Sequence, residues 1–452
     1  MMQVPAMRFT LSETHAQNLR AATEQMLNLL QRVAEHHEYR LLSTADRNTL
    51  LKEGFAHDLV DNLVYLTQRD AQNNVKLSND KHCVGFTQVV YDPSLYADAA
   101  IAQQLQSASS GRCYWCESDL SGNGLATDMV HHFRPPAGYL KETVLKRDAY
   151  VAQAYDTDNL LYGCAQCAEQ GKGLHFPTID GRHMPDVGLA DERPLLLNPR
   201  TENPRDYIRF NPLNGQAFAY DRVQAYYLHK QVKQSEIAGM LWQRPDLIPL
   251  QKDPSGNALS SPVLDAEFAA WLTELSPNEA AQLSRGQTTI DVINLNRISL
   301  QRARLAHLQA LWMAMQFELK NSQTSTSSSN QSSIPQTIDE LPLLAQRQFC
   351  SLSLDAIATW HQQLSQAQSV NSAQNSSQSS PQALHSGASD DSCIHQNSNQ
   401  QTSVQKSSAG ESDTEESGTR EGVTRESSTE QTVVAANNQD KSNQDDNSQE
   451  PT

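Results

Sequence analysis

Along the first part of the chain, apolar residues recur at the three-to-four-residue spacing of an amphipathic helix. Leu19, Met26, Leu29, Leu30 and Val33 form one set, and Leu59, Leu63, Val64 and Leu66 form a second. Helices are therefore expected from about residue 11 to residue 69. Asp92-Pro93-Ser94 supplies the start signals of a further helix carrying Leu95, Tyr96 and Ala97. Between residues 178 and 225 the pattern changes. Short apolar runs alternate with Pro, Gly, Asn and Asp, as in Arg193-Pro194-Leu195-Leu196-Leu197-Asn198-Pro199 and Asn211-Pro212-Leu213-Asn214-Gly215, which predicts small strands joined by turns. From Thr288 helical spacing returns through Ile298, Leu305, Leu308, Trp312 and Met315.

After about Asn321 the periodicity ends and Ser, Gln, Asn, Thr, Asp and Glu dominate, in runs such as Ser325-Thr326-Ser327-Ser328-Ser329-Asn330. Such a segment cannot bury enough apolar surface to offset its chain entropy, so disorder is expected there. One island interrupts it. From Ile338 through Leu352 and Leu354 to Trp360 and Leu364, the apolar residues suffice for one or two short helices within 336–366. The expected organisation is a helical N-terminal region over 1–108, a central domain over 109–319 and a low-complexity tail over 320–452. The fold class is α+β, and the N-terminal helices are read as support for the central module.

The net charge of -17 weighs less against a polyanionic partner than its size suggests. Roughly ten of those negative charges fall in the tail, and local Lys and Arg can still line a phosphate-binding groove on an acidic protein. No apolar run approaches the roughly 18 residues of a membrane span, and the N-terminus lacks the apolar core of a signal peptide. Seven cysteines, an odd and sparse set, read as metal ligands plus reduced thiols, and so as a cytoplasmic protein without a membrane partner.

Four of the seven lie in two knuckles, Cys113-Tyr114-Trp115-Cys116 and Cys164-Ala165-Gln166-Cys167; Cys83, Cys350 and Cys393 are scattered. Two C-x-x-C pairs can close a tetrahedral thiolate zinc site that pins the ends of the segment between them. That segment carries Val130-His131-His132-Phe133-Arg134-Pro135 and Asp158-Asn159-Leu160. Hydrolysis of a phosphodiester needs a base to activate water, a cation on the leaving oxygen and a group that holds the base in its useful tautomer. His132 suits the base, His131 the cation and Asn159 the orienting group. Arg134, directly after the base, is a candidate substrate contact. Trp115 reads as packing against the knuckle, and the triple leucine as core.

These residues, with Lys172 and Phe176-Pro177 after the second knuckle, resemble the HNH endonuclease superfamily. The likeness extends to the Septu-type and retron-associated nucleases of anti-phage defence, through Leu195-Leu196-Leu197-Asn198-Pro199, Phe210, Asn214-Gly215, Arg285-Gly286, Thr289-Ile290, Leu295-Asn296-Arg297 and Arg304. It covers about 110–310. The resemblance implies a ββα-metal finger embedded between helical segments, in which a hairpin carries the base His132, a loop carries Asn159 and a helix carries a metal ligand. It implies a structural Zn²⁺ on Cys113, Cys116, Cys164 and Cys167, and metal-dependent cleavage of nucleic acid, DNA foremost. Arg134 and Lys172 would touch the substrate. A separate ATPase partner and a role in antiviral defence are implied as well.

Two positions depart from the pattern. His131 stands where relatives have Asp or Glu, a change that colicin-type HNH nucleases resemble in using a His-His pair whose first member binds metal. Ala168 follows Cys167 where relatives often carry Asn or His. One inserted residue would bring Glu169 into register with the missing ligand, and His175 is the alternative. Glu169 would make the catalytic ion Mg²⁺ or Mn²⁺, whereas His175 would favour Ni²⁺, Zn²⁺ or Co²⁺. The competing function is a catalytically inactive zinc-knuckle module that binds nucleic acid or a partner protein.

Overall fold

The structure is a computed structural model that describes residues 8–360 apart from 36–42, 66, 70–74, 78–83, 123, 142–143, 148, 184–187, 254, 325–345 and 347. Residues Met1–Pro381 form one compact unit, and the second unit, Gln382–Thr452, lies wholly outside the described residues. So do Leu66, Cys83, Cys393, Ile338 and Leu364.

The N-terminal region opens with helices α1 (Glu13–Glu35), α2 (Thr44–Lys52) and α3 (His57–Asp61). Leu19, Met26, Leu29 and Val33 of α1, Leu50 of α2 and Leu59 and Val60 of α3 are all buried, as helical spacing requires of a core-facing stripe. The expected helix does not continue to residue 69. Leu63–Tyr65 is a strand, β1, and β2 (Thr67–Arg69), β3 (Val75–Leu77) and β4 (Val84–Phe86) follow; β1 pairs with β4 and β2 with β3, both antiparallel. A short apolar run of Leu, Val and Tyr satisfies either period, and here the cross-strand partners Leu63↔Phe86 and Tyr65↔Val84 decide it. The start signal at Asp92 is used. The Asp92 carboxylate accepts from the Ser94 N–H and Pro93 opens α4 (Pro93–Tyr96). Asp98 then caps a separate helix, α5 (Ala99–Ala108).

The central module consists of short antiparallel pairs. β5 (Val130–His132) pairs with β8 (Leu160–Tyr162), matching His131 with Leu161 and His132 with Leu160. β6 (Tyr139–Lys141) pairs with β7 (Val144–Lys146), and β9 (Ile208–Phe210) with β10 (Ala217–Ala219). After β8, residues Gln166–Lys172 form a widened, π-type helical segment. The turn-rich expectation for 178–225 holds as far as β10; helix α6 (Tyr220–His229) begins inside that range. With α7 (Gln234–Gln243) and α8 (Pro262–Glu274), α6 builds a second, aromatic cluster of Tyr226, Trp242, Phe268 and Trp271. Then follow α9 (Pro277–Gln282), α10 (Arg285–Ile293), which ends at a left-handed Asn294, and α11 (Ile298–Thr324). The described residues thus give a mixed fold of helices and small sheets. No helix among them is long and apolar enough to cross a membrane.

The island expected to form short helices within 336–366 does so in part, and it packs on the body of the protein. Residues 350–360 form a further helix, α12, whose Cys350, Leu352, Leu354, Ala356 and Ile357 are buried. Its Ser351, Ser353 and Asp355 are buried too, because each meets a partner from the body of the protein. Asp355 takes Arg205 Nη2 at 2.6 Å and the Phe210 N–H at 2.9 Å, and the Glu117 carboxylate accepts the Ser351 N–H at 2.9 Å and the Ser351 hydroxyl at 2.6 Å. The His307 ring lies 2.8 Å from Ser353 Oγ, and Trp312 packs edge-on against Trp360. Truncation after Leu319 is therefore expected to give an aggregating or thermally weakened protein. Asp355→Ala, which strands two arginines around a vacated buried site, should cost about 3–5 kcal/mol in urea unfolding. A truncated chain that melts cooperatively at the full-length temperature would overturn this.

Candidate metal centre and active site

The four knuckle sulfurs, of Cys113, Cys116, Cys164 and Cys167, all lie within 4.8 Å of one another. Four sulfurs about 2.3 Å from a tetrahedral zinc stand about 3.8 Å apart, and Cys116 Sγ to Cys164 Sγ measures 3.8 Å. The cluster could hold a structural metal ion such as zinc. The Cys164 N–H points at Cys113 Sγ, 3.4 Å away, and Ser118 Oγ lies 3.2 Å from Cys116 Sγ. Both terminal nitrogens of Arg297 sit 3.5 Å from Cys167 Sγ. Arg304, fully buried, is attracted to Cys116, Glu117 and Cys167 while burial lowers its guanidinium to about 10.

The first knuckle closes through Glu117, which adopts a left-handed φ of 62° and donates its N–H to the Cys113 carbonyl. That conformation is uncommon for a residue with a side chain. The buried carboxylate of the same residue caps the start of α12. Trp115 is buried against Gly163, as its reading as packing requires. A Cβ at Gly163 would stand 2.8 Å from the indole and 3.6 Å from the His131 ring. Only glycine lets the end of β8, the tryptophan and His131 converge.

His131 and His132 line one cleft of about 670 Å³, together with Glu169 and Lys172 from the widened helical segment. His132 Nε2 is 2.8 Å from the Ala154 carbonyl oxygen; a ring that donates there carries its free lone pair on Nδ1. Burial lowers both imidazoles to about 4. They are neutral at pH 7. Among the described residues His131 Nε2 is buried without a hydrogen-bond partner. The Lys172 amine, also buried and pushed down to about 7 by that burial, donates to the Gly173 carbonyl at 3.0 Å.

Asn159 stands behind the cleft. Its Oδ1 accepts the Arg134 N–H at 2.7 Å, while its Nδ2 donates to the carbonyls of Arg134 at 2.9 Å and Gln153 at 3.0 Å. Its own carbonyl accepts from the Phe133 N–H. One buried amide thus joins the chain leaving His132 to the loop that offers Ala154.

Two of the candidate residues do not line this cleft. Arg134 pairs at 2.6 Å with the buried carboxylate of Glu192, against the rings of Phe133 and Phe176. It reads as structural. His175, beyond the left-handed Gly173, is exposed and does not line the cleft, whereas Glu169 does. Lys172, expected on the substrate, lines the cleft as a buried amine rather than a surface charge. Sequence reasoning missed the opposite wall, made by Gln88, Tyr91 and Tyr96, and the carboxylate of Asp128. None of these belongs to a motif, and only their placement in space identifies them.

Comparison with known protein families, with curated proteins and with solved structures finds no match to this chain. The four-cysteine cluster is directly testable. One zinc per chain is expected by elemental analysis, with Cys116→Ser and Cys167→Ser losing the metal and melting at lower temperature, since a structural metal contributes folding free energy. A well-folded wild-type protein without metal would exclude the site.

Proposed function

We propose that the protein is an HNH-type endonuclease that hydrolyses phosphodiester bonds of nucleic acid, DNA foremost, with a divalent cation. The observation that carries this reading is the pinned His132. Its Nε2 is tied to the Ala154 carbonyl, the loop bearing that carbonyl is locked by Asn159, and Nδ1 is left to take a proton from water. Substrate phosphate in the cleft would favour the imidazolium that this step creates, against the burial that keeps the free ring neutral.

His131 and Glu169 would hold the cation. The orphaned, neutral His131 nitrogen suits it, and an imidazole-plus-carboxylate pair accepts Mg²⁺ or Mn²⁺. A bound cation would stabilise negative charge developing on the leaving oxygen. The widened segment supports Glu169 as the second ligand. A turn closed by i→i+5 bonds holds one residue more than an α-helical turn, and one added residue is what brings Glu169 into the register of the missing ligand. Cys113, Cys116, Cys164 and Cys167 anchor this segment to β8 and so set where Glu169 and Lys172 stand. The resemblance to anti-phage nucleases adds a defence role and a separate ATPase partner to the proposal; recovery of an ATPase with the tagged protein from its own cells checks the partner.

The rival reading, an inactive zinc module that binds nucleic acid or protein, draws on Ala168, a side chain without donor atoms beside Cys167. Cleavage assays with plasmid, single-stranded DNA and RNA in Mg²⁺, Mn²⁺ and Ni²⁺ separate the two. His132→Ala is expected to lower cleavage by about 10²–10⁴-fold with little change in melting temperature. Glu169→Ala should abolish Mg²⁺-supported cleavage, and His175→Ala should leave it intact. Absence of cleavage with any of these ions and substrates would favour the rival.

A further inference from the structure

The cleft has a wall from outside the central module. Tyr96, the last residue of α4, lies with its ring centroid 4.5 Å from that of His132, the planes tilted by 55°. We propose that Tyr96 is a positioning residue that holds the His132 imidazole in the orientation its reaction requires, an assignment that rests on the endonuclease reading.

Among the described residues two contacts hold the imidazole, one from before and one from after His132 in the sequence. The Ala154 carbonyl takes Nε2 and fixes the tautomer, but a single hydrogen bond leaves the ring free to swing about that axis. Tyr96 fills the space into which it would swing. The segment bearing Tyr96 is itself held to the module. The Tyr91 hydroxyl donates to the Pro136 carbonyl at 2.6 Å, and the Asp92 N–H donates to the Tyr155 hydroxyl at 3.0 Å. Tyr155 immediately follows Ala154, so neighbouring residues of one loop grip the histidine and the wall that faces it. From the other side, the His15 ring lies 3.1 Å from the Leu95 carbonyl and ties α4 to α1. The N-terminal region therefore completes the cleft as well as supporting it.

Ring and hydroxyl make separable contributions. The hydroxyl has no hydrogen-bond partner among the described residues, so the ring alone carries the contact with His132. Tyr96→Phe keeps the ring and is expected to retain kcat within about threefold. Tyr96→Ala and Tyr96→Leu remove it, and kcat should fall about 10–100-fold while KM moves by less than threefold, as expected when a reacting group is misplaced rather than substrate binding lost. Zinc content and melting temperature of each variant check that the fold persists, and Tyr96→Leu preserves most of the buried volume if Tyr96→Ala does not fold. Independently of activity, the His132 imidazole resonances of the full-length protein, assigned with His132→Ala, should shift in Tyr96→Leu and return in Tyr96→Phe. Wild-type kcat in the ring-less variants, an equal loss in Tyr96→Phe, or unmoved His132 resonances would each overturn the proposal. Wild-type protein that cleaves nothing would instead remove the endonuclease reading, and the resonances would still report whether Tyr96 holds His132.

Discussion

Four sulfur atoms cannot stay within 4.8 Å of one another in a buried site as thiolates unless positive charge lies among them. A divalent ion would supply that charge and would still leave a tetrathiolate site with a net charge of about -2. Arg297, with both terminal nitrogens on Cys167, and the buried Arg304, attracted to Cys116 and Cys167, would answer the remainder. The rest of the site inherits its position from this closure. β8 enters the second knuckle through Gly163, the widened segment leaves it through Cys167, and a Cβ at Gly171 would stand 2.7 Å from the Ile293 carbonyl oxygen. That approach fixes the segment's far end against α10. Glu169 lies between these two anchors, and Lys172 directly follows the second.

Glu117 extends the same constraint to the C-terminal end of the fold. Its left-handed backbone closes the first knuckle, its carboxylate receives two donors of Ser351, and its carbonyl accepts from the Phe349 N–H. A carboxylate at a helix start is favoured by the unpaired N–H groups and dipole there. The knuckle and α12 consequently order each other, although more than 200 residues separate them in the chain.

What the sequence disclosed follows the range of the interactions involved. Elements set by local rules were legible: the α1 stripe, the Asp92-Pro93 start of α4, the two knuckles and the turn-rich β9–β10 region. Elements decided by distant partners were not. Leu63–Tyr65 fits a helix or a strand until Phe86 is known to lie opposite. The island around Leu352 and Leu354 was legible as a short helix, but not its docking, because Ser351, Ser353 and Asp355 are each buried on a partner supplied by another part of the chain. Arg134 shows the same limit within the site. Its neighbour in sequence suggests substrate, whereas its neighbour in space is Glu192, 58 residues on.

The placement of cations restricts how a phosphodiester could be held here. Arg134 is neutralised by Glu192 and Arg200 by Asp158, and among the residues lining the cleft Lys172 is the one lysine or arginine. Burial already drives its amine toward the neutral form at about 7. Negative charge brought close to a buried amine favours the ammonium, so on the endonuclease reading substrate binding and protonation of Lys172 are linked. One buried lysine still cannot balance both the phosphate and the charge that develops on the leaving oxygen. On the same reading, a second positive charge would come from an ion at His131 and Glu169, and metal dependence would follow from where the described arginines stand.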